Sequence, residues 1–129
     1  MERLVVSSAR LACSLGSAPS SLLVPPADRQ CRDGLPVATV LDCAPLTNIQ
    51  PFGLCRSRAN PEVAEASAGL EDGLMPRPCR PVPLGPWTAG RSARRLDGAA
   101  PLGPGSTCDC AWAGVISVLD PGSRGAGEP

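Results

Sequence analysis

Residues 111–119, AWAGVISVL, have the clearest strand pattern in the chain. Trp112, Ile116 and Val118 fall on one face of this stretch, because side chains along a β-strand point to opposite faces in turn. Gly114 interrupts that face, and a glycine inside a strand indicates that another backbone or ring packs closely against it. We therefore predict a strand over 111–119 with a close neighbour at Gly114.

The rest of the chain consists of short extended pieces separated by turn residues. Aliphatic and β-branched runs predict further strands at 4–6, 11–13, 21–24 and 36–41. Residues 31–34, CRDG, predict a tight turn, since Asp-Gly readily supplies a positive φ. Five prolines within 75–86 argue against a central strand and predict a stiff, extended connector. The fold class that follows is mainly β, with short strands and turns.

One short helix is predicted, and its start is well marked. Asn60 can cap the free amide groups of the first turn, Pro61 suits the first helical position, and Glu62 favours the positive end of the helix dipole. The apolar run that follows is stopped by Asp72-Gly73, so we expect the helix to continue through about residue 70.

The composition excludes several classes of function. The 129 residues include 12 basic and 12 acidic side chains and no His or Tyr, and every basic residue is Arg. Nucleic-acid binders need a surplus of positive charge, so we expect no nucleic-acid partner. Without His, the commonest general base is missing, and without Lys, Schiff-base and P-loop chemistry are impossible. We therefore expect a protein that is not an enzyme.

The length fits one domain, which we place at 1–120, followed by a flexible tail at 121–129 that is rich in Gly and Pro. The first ten residues do not have the pattern of a signal peptide, because their apolar stretch is short and is closed by Arg10. No window approaches the roughly 18 apolar residues of a membrane-spanning helix, so stable membrane insertion is not expected. These features predict folding in a reducing cytoplasm, where clustered cysteines are more often metal ligands than disulfides.

The core that this sequence can build has few large side chains. Its aromatic residues are Phe52, Trp87 and Trp112, whereas Pro and Gly account for 16 and 14 residues. We expect Phe52 and Trp112 to pack in the core rather than to contact a ligand. A domain of this composition benefits from a staple. Seven cysteines are present, at positions 13, 31, 43, 55, 79, 108 and 110, and disulfides could not use all of an odd number.

Six segments of the chain carry a family resemblance. In order they are 13–20 CSLGSAPS, 41–55 LDCAPLTNIQPFGLC, 59–64 ANPEVA, 78–81 PCRP, 86–87 PW and 110–116 CAWAGVI. The chain resembles the PAAR-like tip proteins of bacterial contractile injection machines, whose motifs occur in the same order over nearly the whole length. It departs from the family pattern mildly, with Leu15 for Phe, Leu54 for Met and Ala113 for Gly.

The resemblance implies a small conical domain of short β-elements. PAAR-like proteins cap the trimeric β-helical spike of type VI secretion and related systems, sharpen its tip and carry effector or toxin proteins. The chain would then assemble in the cytoplasm and be delivered at the tip of the machine, as a structural protein with a trimeric spike as its partner. The alternative is a free-standing adaptor, stapled by metal or thiols, for a secreted toxin.

Cys13, Cys55, Cys79 and Cys110 lie on the family motifs. In PAAR relatives a metal held mainly by His pins the apex, and this chain has no His. The resemblance therefore suggests an all-thiolate site, with structural zinc as the expected metal, since zinc accepts four thiolates in a tetrahedron. Two other interpretations stay open: two disulfides formed after export, or buried thiols that only pack.

Cys31, Cys43 and Cys108 lie outside the family pattern. Residues 108–110, CDC, place the two cysteine side chains on one face of a strand. That arrangement suits a second metal ligand or a strained disulfide, or it reflects chance enrichment. No cysteine can use a His as the partner of a nucleophile.

Overall fold

The computed structural model describes residues 4–25, 31–32, 34–70, 73–88 and 101–122. Within these ranges the regular structure is eight short strands and one helix. In chain order they are β1 (Arg10–Cys13), β2 (Ser20–Ser21), β3 (Cys31–Arg32), β4 (Leu35–Pro36), β5 (Leu54–Cys55), α1 (Pro61–Ser67), β6 (Arg77–Pro78), β7 (Thr107–Asp109) and β8 (Val115–Asp120). The prediction of a mainly β fold with one short helix is confirmed.

The largest sheet has four antiparallel strands in the order β2-β1-β8-β7. β1 pairs with β8 in a register that sets Leu11 opposite Val118 and Cys13 opposite Ile116. Leu11 and Ile116 are buried, so one face of this sheet covers the core. Two further sheets have two strands each, β3 with β4 and β5 with β6.

Loop residues continue the two edges of the large sheet. Beyond β2, Leu22 bridges to Ile49. At the other edge, Thr107 and Thr88 exchange two backbone hydrogen bonds of 2.8 and 3.3 Å. Because paired edge groups are no longer open to a strand from another molecule, this sheet is protected against edge-to-edge association at both bridges.

A hydrophobic core lies against the sheet. Its largest fully buried side chains are Phe52, Leu11, Leu22, Ile49, Leu102 and Ile116. Full burial of each such side chain stabilises the folded state by about 1.5–3 kcal/mol. Trp87 is also buried, and its indole N–H donates to the Asp42 carbonyl at 3.0 Å, which satisfies the polar end of the ring. Trp112 packs against the core from a partly exposed position.

The helix begins where the sequence places it. The Asn60 carboxamide oxygen accepts the Glu62 N–H at 3.0 Å, and Pro61 occupies the first helical position. The helix ends at Ser67, earlier than predicted. Gly69 follows with φ at +91°, a left-handed conformation that terminates a helix readily because glycine has no Cβ. The predicted stop at Asp72 lies outside the described residues.

The predicted strand over 111–119 is right only in its second half. β8 begins at Val115, and the preceding residues form a turn in which the Ala113 N–H donates to the Cys110 carbonyl at 2.9 Å. Ala113 has φ at 72°, which no strand residue adopts. Trp112 therefore lies in the turn and not on the strand face. Val115 pairs with Asp109 of β7 and Ile116 pairs with Cys13 of β1, so regular pairing, and with it the strand, begins only after the turn.

The predicted strand over 36–41 is wrong for most of its length, since β4 contains only Leu35–Pro36. The Thr39 N–H donates to the Asp42 carboxylate at 2.7 Å, and the Asp42 N–H donates to the Thr39 carbonyl at 3.0 Å. These two bonds turn the chain at Thr39, where β-branched composition alone predicted continued extension.

Of the other predicted strands, 11–13 is confirmed within β1. The stretch 4–6 forms only a bridge from Val6 to Val37, and 21–24 is strand only at its first residue. Val6 and Leu22 each bridge to a loop residue, and a loop does not continue a regular strand ladder. Of the turn predicted at 31–34, Cys31 and Arg32 instead form β3, Gly34 precedes β4 with φ at 79°, and Asp33 lies outside the described residues.

The predicted tail over 121–129 lies outside the described residues except for its first two positions. Pro121 is buried, and its carbonyl accepts the Val6 N–H at 3.0 Å. In the described part of the chain, no helix is long and apolar enough to cross a membrane.

Candidate functional site

Four cysteines line one cavity. Cys13 and Cys55 end strands β1 and β5, while Cys79 and Cys110 follow strands β6 and β7 directly. Phe52, Trp112, Ile116 and Pro81 are among the residues that complete the walls. The structure thus brings together all four cysteines that lie on the sequence motifs, although they are distant along the chain.

Backbone hydrogen bonds hold the first three cysteine-bearing segments together. The Ser17 N–H donates to the Phe52 carbonyl at 3.0 Å, and the Arg56 N–H donates to the Leu15 carbonyl at 2.9 Å. The next segment is joined by the Cys79 N–H, which donates to the Gly53 carbonyl at 2.8 Å. Because these bonds join main chains, side-chain rotation alone cannot separate the segments.

The fourth segment closes the arrangement into a ring. The Ala111 N–H donates to the Val82 carbonyl at 2.9 Å, and the Trp112 indole N–H donates to the Arg80 carbonyl at 3.0 Å. On its other side, the Ser14 N–H donates to the Val115 carbonyl at 3.0 Å. The thiols are therefore surrounded by four segments that are each tied to the next.

The cavity is small, with a volume of about 10 Å³. This is space for one water molecule or one ion. Gly114 keeps part of it clear, because a Cβ at this position would lie 2.6 Å from Cys13 Sγ and 3.9 Å from the Cys110 Cβ. The close approach that the sequence predicts at Gly114 is thus made by the Cys13 sulfur rather than by a backbone or a ring.

Burial and mutual repulsion act on two of the thiols. Desolvation raises the pKa of both Cys13 and Cys79, and the charge that each would carry repels that of neighbouring thiolates, including Cys55 and Cys110. Backbone hydrogen bonds oppose this rise in pKa, from Leu15 and Gly16 to Cys13 and from Phe52 to Cys79. Such donors stabilise a thiolate, which is the form that binds a metal.

The sequence patterns did not predict these backbone donors. The signal that could have revealed them is the order Cys13-Ser14-Leu15-Gly16, in which a tight turn after the cysteine directs amide groups back to its sulfur. The Gly16 N–H also donates to the Cys13 carbonyl at 3.0 Å, as expected of a turn.

The donor set fits a thiophilic ion in number and kind, but the sulfurs are not already arranged as ligands. Among the described residues, no group of three or more Cys, Asp or Glu side chains stands in a geometry that could hold a metal ion. None of the four cavity thiols is in a disulfide within the same part of the chain. Binding an ion would therefore require the cysteine side chains to turn toward a common centre.

A family model described as "Domain of unknown function (DUF4280)" matches residues 5–123. The chain belongs to this family. The DUF4280 match spans all four cavity cysteines and every element from β1 to β8. No curated protein and no solved structure matches the chain. The family description names no function for these residues.

This DUF4280 domain holds a second pair of neighbouring thiols outside the cavity. Cys108 is 3% exposed, and burial together with the nearby Cys43 and Asp109 raises its pKa to about 11. Burial and Asp42 raise the pKa of Cys43. Cys108 and Cys110 are both buried, as their shared strand face predicts, but Cys108 does not line the cavity. The exposed Cys31 in β3 belongs to neither group.

The raised pKa of Cys108 predicts that the metal-free protein loses stability in alkali. An unfolded thiol ionises near pH 8.5, whereas folded Cys108 stays protonated to about 11. Between these values the unfolded state binds fewer protons, so the free energy of unfolding falls as pH rises, by on the order of 2 kcal/mol for this group. Denaturant titrations between about pH 7 and 11, with chelator and reductant present, measure the slope of the free energy of unfolding against pH.

Cys108→Ala should reduce that slope to the part that Cys13, Cys43 and Cys79 contribute, whereas the matched variant Cys31→Ala should leave it unchanged because Cys31 is exposed. The interpretation is direct, since a chain without His, Lys or Tyr has only thiols and the α-amino group to titrate in this range. Equal slopes in wild type and Cys108→Ala would show that this thiol is not held protonated by the fold.

Proposed function

We propose that this protein is a structural tip protein, which caps the trimeric β-helical spike of a contractile injection or type VI secretion machine. The observation that carries the proposal is the ring of cysteine-bearing segments. Residues 13–20, 41–55, 78–81 and 110–116 contain the motifs that resemble PAAR-like tip proteins, and these same segments meet around the four-thiol cavity. The motifs that carry the resemblance are far apart in the sequence but lie together in the structure.

A stapled module suits a protein that is pushed through a membrane. Cys13, Cys55, Cys79 and Cys110 would hold structural zinc, which cross-links the four segments when bound. Because these cysteines lie far apart along the chain, a link between them closes long loops and contributes to folding free energy. The protein would assemble in the cytoplasm and leave it at the tip of the machine.

The state of the thiols supports a structural rather than a catalytic role. Catalytic cysteines have a lowered pKa, which makes the thiolate available at neutral pH. Here burial raises the pKa of Cys13, Cys79 and Cys108, and the sequence offers no His to act as a base. Buried, protonated thiols are poor nucleophiles unless a metal displaces their protons.

The proposal predicts a complex with the trimeric spike protein of the injection system encoded in the same genome. When both are co-expressed and purified by a tag on the spike, we expect one copy of this chain per spike trimer by size-exclusion chromatography with light scattering. Cys55→Ser should reduce recovery of the complex, because it removes a buried wall of the four-thiol cavity. Cys31→Ser should leave recovery unchanged.

A chain that remains monomeric beside an intact spike trimer would overturn the tip function. If it instead co-purified with a secreted toxin in the absence of a spike, it would be a free-standing adaptor stapled by metal or thiols. The two outcomes are separated by which tagged partner retains the chain.

A further inference from the structure

A surface groove shares a wall with the four-thiol cavity. The groove has a volume of about 350 Å³ and is lined by Pro45, Leu46, Pro51, Pro78, Cys79, Arg80 and Pro81. Cys79 and Pro81 also line the inner cavity. Cys79 therefore belongs to the wall that the groove and the four-thiol cavity share.

The four thiols differ in how they meet solvent. Cys55 and Cys110 are buried, at 6% and 7% exposure, whereas Cys79 is partly exposed. Cys13 is also partly exposed, but it does not line the groove, and its sulfur packs against Gly114. Of the four, only Cys79 lines both the groove and the cavity.

The rim of the groove is held in place by local bonds. The Leu46 N–H donates to the Ile49 carbonyl at 2.8 Å, and the Ala44 N–H donates to the Asn48 carboxamide oxygen at 3.0 Å. On the opposite side, prolines fix the backbone φ of residues 78 and 81. The groove is thus a preformed feature and not a product of side-chain packing alone.

Charge in the groove is partly neutralised. Arg80 lines it, and its guanidinium forms an ion pair of 2.7 Å with Glu62 on α1. The Glu62 carboxylate offsets part of the positive charge of Arg80. This lowers the electrostatic repulsion that a divalent cation would meet in the groove. The remaining residues of the lining are four prolines, Leu46 and the Cys79 thiol.

We propose that this groove is the access route to the four-thiol cavity, with Cys79 the first thiol that a soft divalent cation meets. Transfer would then proceed inward from Cys79 to the buried thiols, each ligand losing a proton to solvent as it binds. The identity of the ion rests on the proposed zinc staple. The route itself rests only on the shared wall and the exposures of the thiols.

The test uses a substitution that narrows the groove and leaves every cysteine unchanged. Leu46 is 62% exposed on the rim, so Leu46→Trp adds bulk there without disturbing the core. The matched control is Leu119→Trp, at a residue that is 57% exposed on β8 and does not line the groove. Reduced, zinc-free protein is treated briefly with N-ethylmaleimide, and the modified cysteines are identified by mass spectrometry, with exposed Cys31 as internal reference.

We expect Cys79 to be modified before Cys55 and Cys110. Leu46→Trp should slow Cys79 modification several-fold relative to Cys31, and should slow zinc uptake from a chromophoric chelator without changing the equilibrium affinity. Leu119→Trp should change neither rate. Modification of Cys55 or Cys110 before Cys79, or an unchanged Cys79 rate in Leu46→Trp, would overturn the route. If the route holds but no zinc binds, the failure belongs to the zinc staple and not to the groove.

Discussion

Replacing Cys55 by Ser should lower the free energy of unfolding of the zinc-loaded protein by several kcal/mol. Cys55 is buried and lines the cavity, so its loss removes one of four ligands from the proposed staple. Structural zinc contributes on the order of 10 kcal/mol to folding in small domains. A serine hydroxyl is a poor substitute for a thiolate at such a site, which suits soft ligands. Denaturant unfolding with and without chelator measures the loss.

Cys31→Ser is the matched control, since Cys31 is exposed and does not line the cavity. We expect a change within about 0.5 kcal/mol, as for most surface substitutions. In excess chelator the gap between wild type and Cys55→Ser should shrink to the smaller cost of altered core packing. Equal stabilities for the two serine variants, or a gap that chelator leaves untouched, would contradict a metal staple at this cavity.

The second large effect is expected for Gly114→Ala. The added Cβ would lie 2.6 Å from Cys13 Sγ, closer than non-bonded carbon and sulfur atoms approach, so the Cys13 side chain must move from its present position. The backbone of Gly114 does not lie in the left-handed region, and alanine is therefore compatible with its conformation. We expect zinc affinity to fall by about 100-fold, the upper end of the range for changes that displace a ligand indirectly. Competition with a chelator of known affinity measures this loss.

Two comparisons make the Gly114 experiment specific. Gly105→Ala is the matched control, because an added Cβ there meets nothing within 4 Å and φ is not in the left-handed region. It should keep zinc affinity at the wild-type value. In a Cys13→Ala background, adding Gly114→Ala should cost little, since the clashing sulfur is gone. Additive losses in the double variant would mean that Gly114 acts through something other than Cys13.

Local signals predicted the helix start correctly. The cap at Asn60 and the proline after it are decided by groups within a few residues, so sequence alone locates them. The strand over 111–119 was right only from Val115, because its start is set by pairing with Asp109 of β7 across the turn, and Ile116 is the first residue that pairs with β1. Backbone hydrogen bonds within 110–114 form a turn there despite the period-two pattern. Such a pattern carries no information on where strand pairing begins.

The meeting of the four cysteines was predicted from the resemblance and not from their spacing. Cys13 and Cys110 are distant in sequence, and nothing local indicates that β1 and β8 pair or that a turn then carries Cys110 to the cavity. Convergence of the four thiols around one cavity is what the structure adds. Ligand geometry is not yet formed, so zinc remains a prediction.

Two features of the site had no sequence signal that we could identify. The neighbouring positions of Cys43 and Cys108 depend on the core that brings 40–43 beside Trp87. The groove depends on a loop at 45–51 meeting the proline connector at 78–81. The prolines predicted a stiff connector, but the sequence of the connector does not show which loop will face it.

The most direct test of the four-thiol staple is elemental analysis of wild-type protein and Gly114→Ala, both purified without chelator. The staple predicts one equivalent of zinc per wild-type chain, four thiols protected from a thiol reagent until chelator is added, and little zinc in Gly114→Ala. Metal-free wild-type protein would contradict it, whether Cys13, Cys55, Cys79 and Cys110 then react as thiols or prove to be joined in two disulfides.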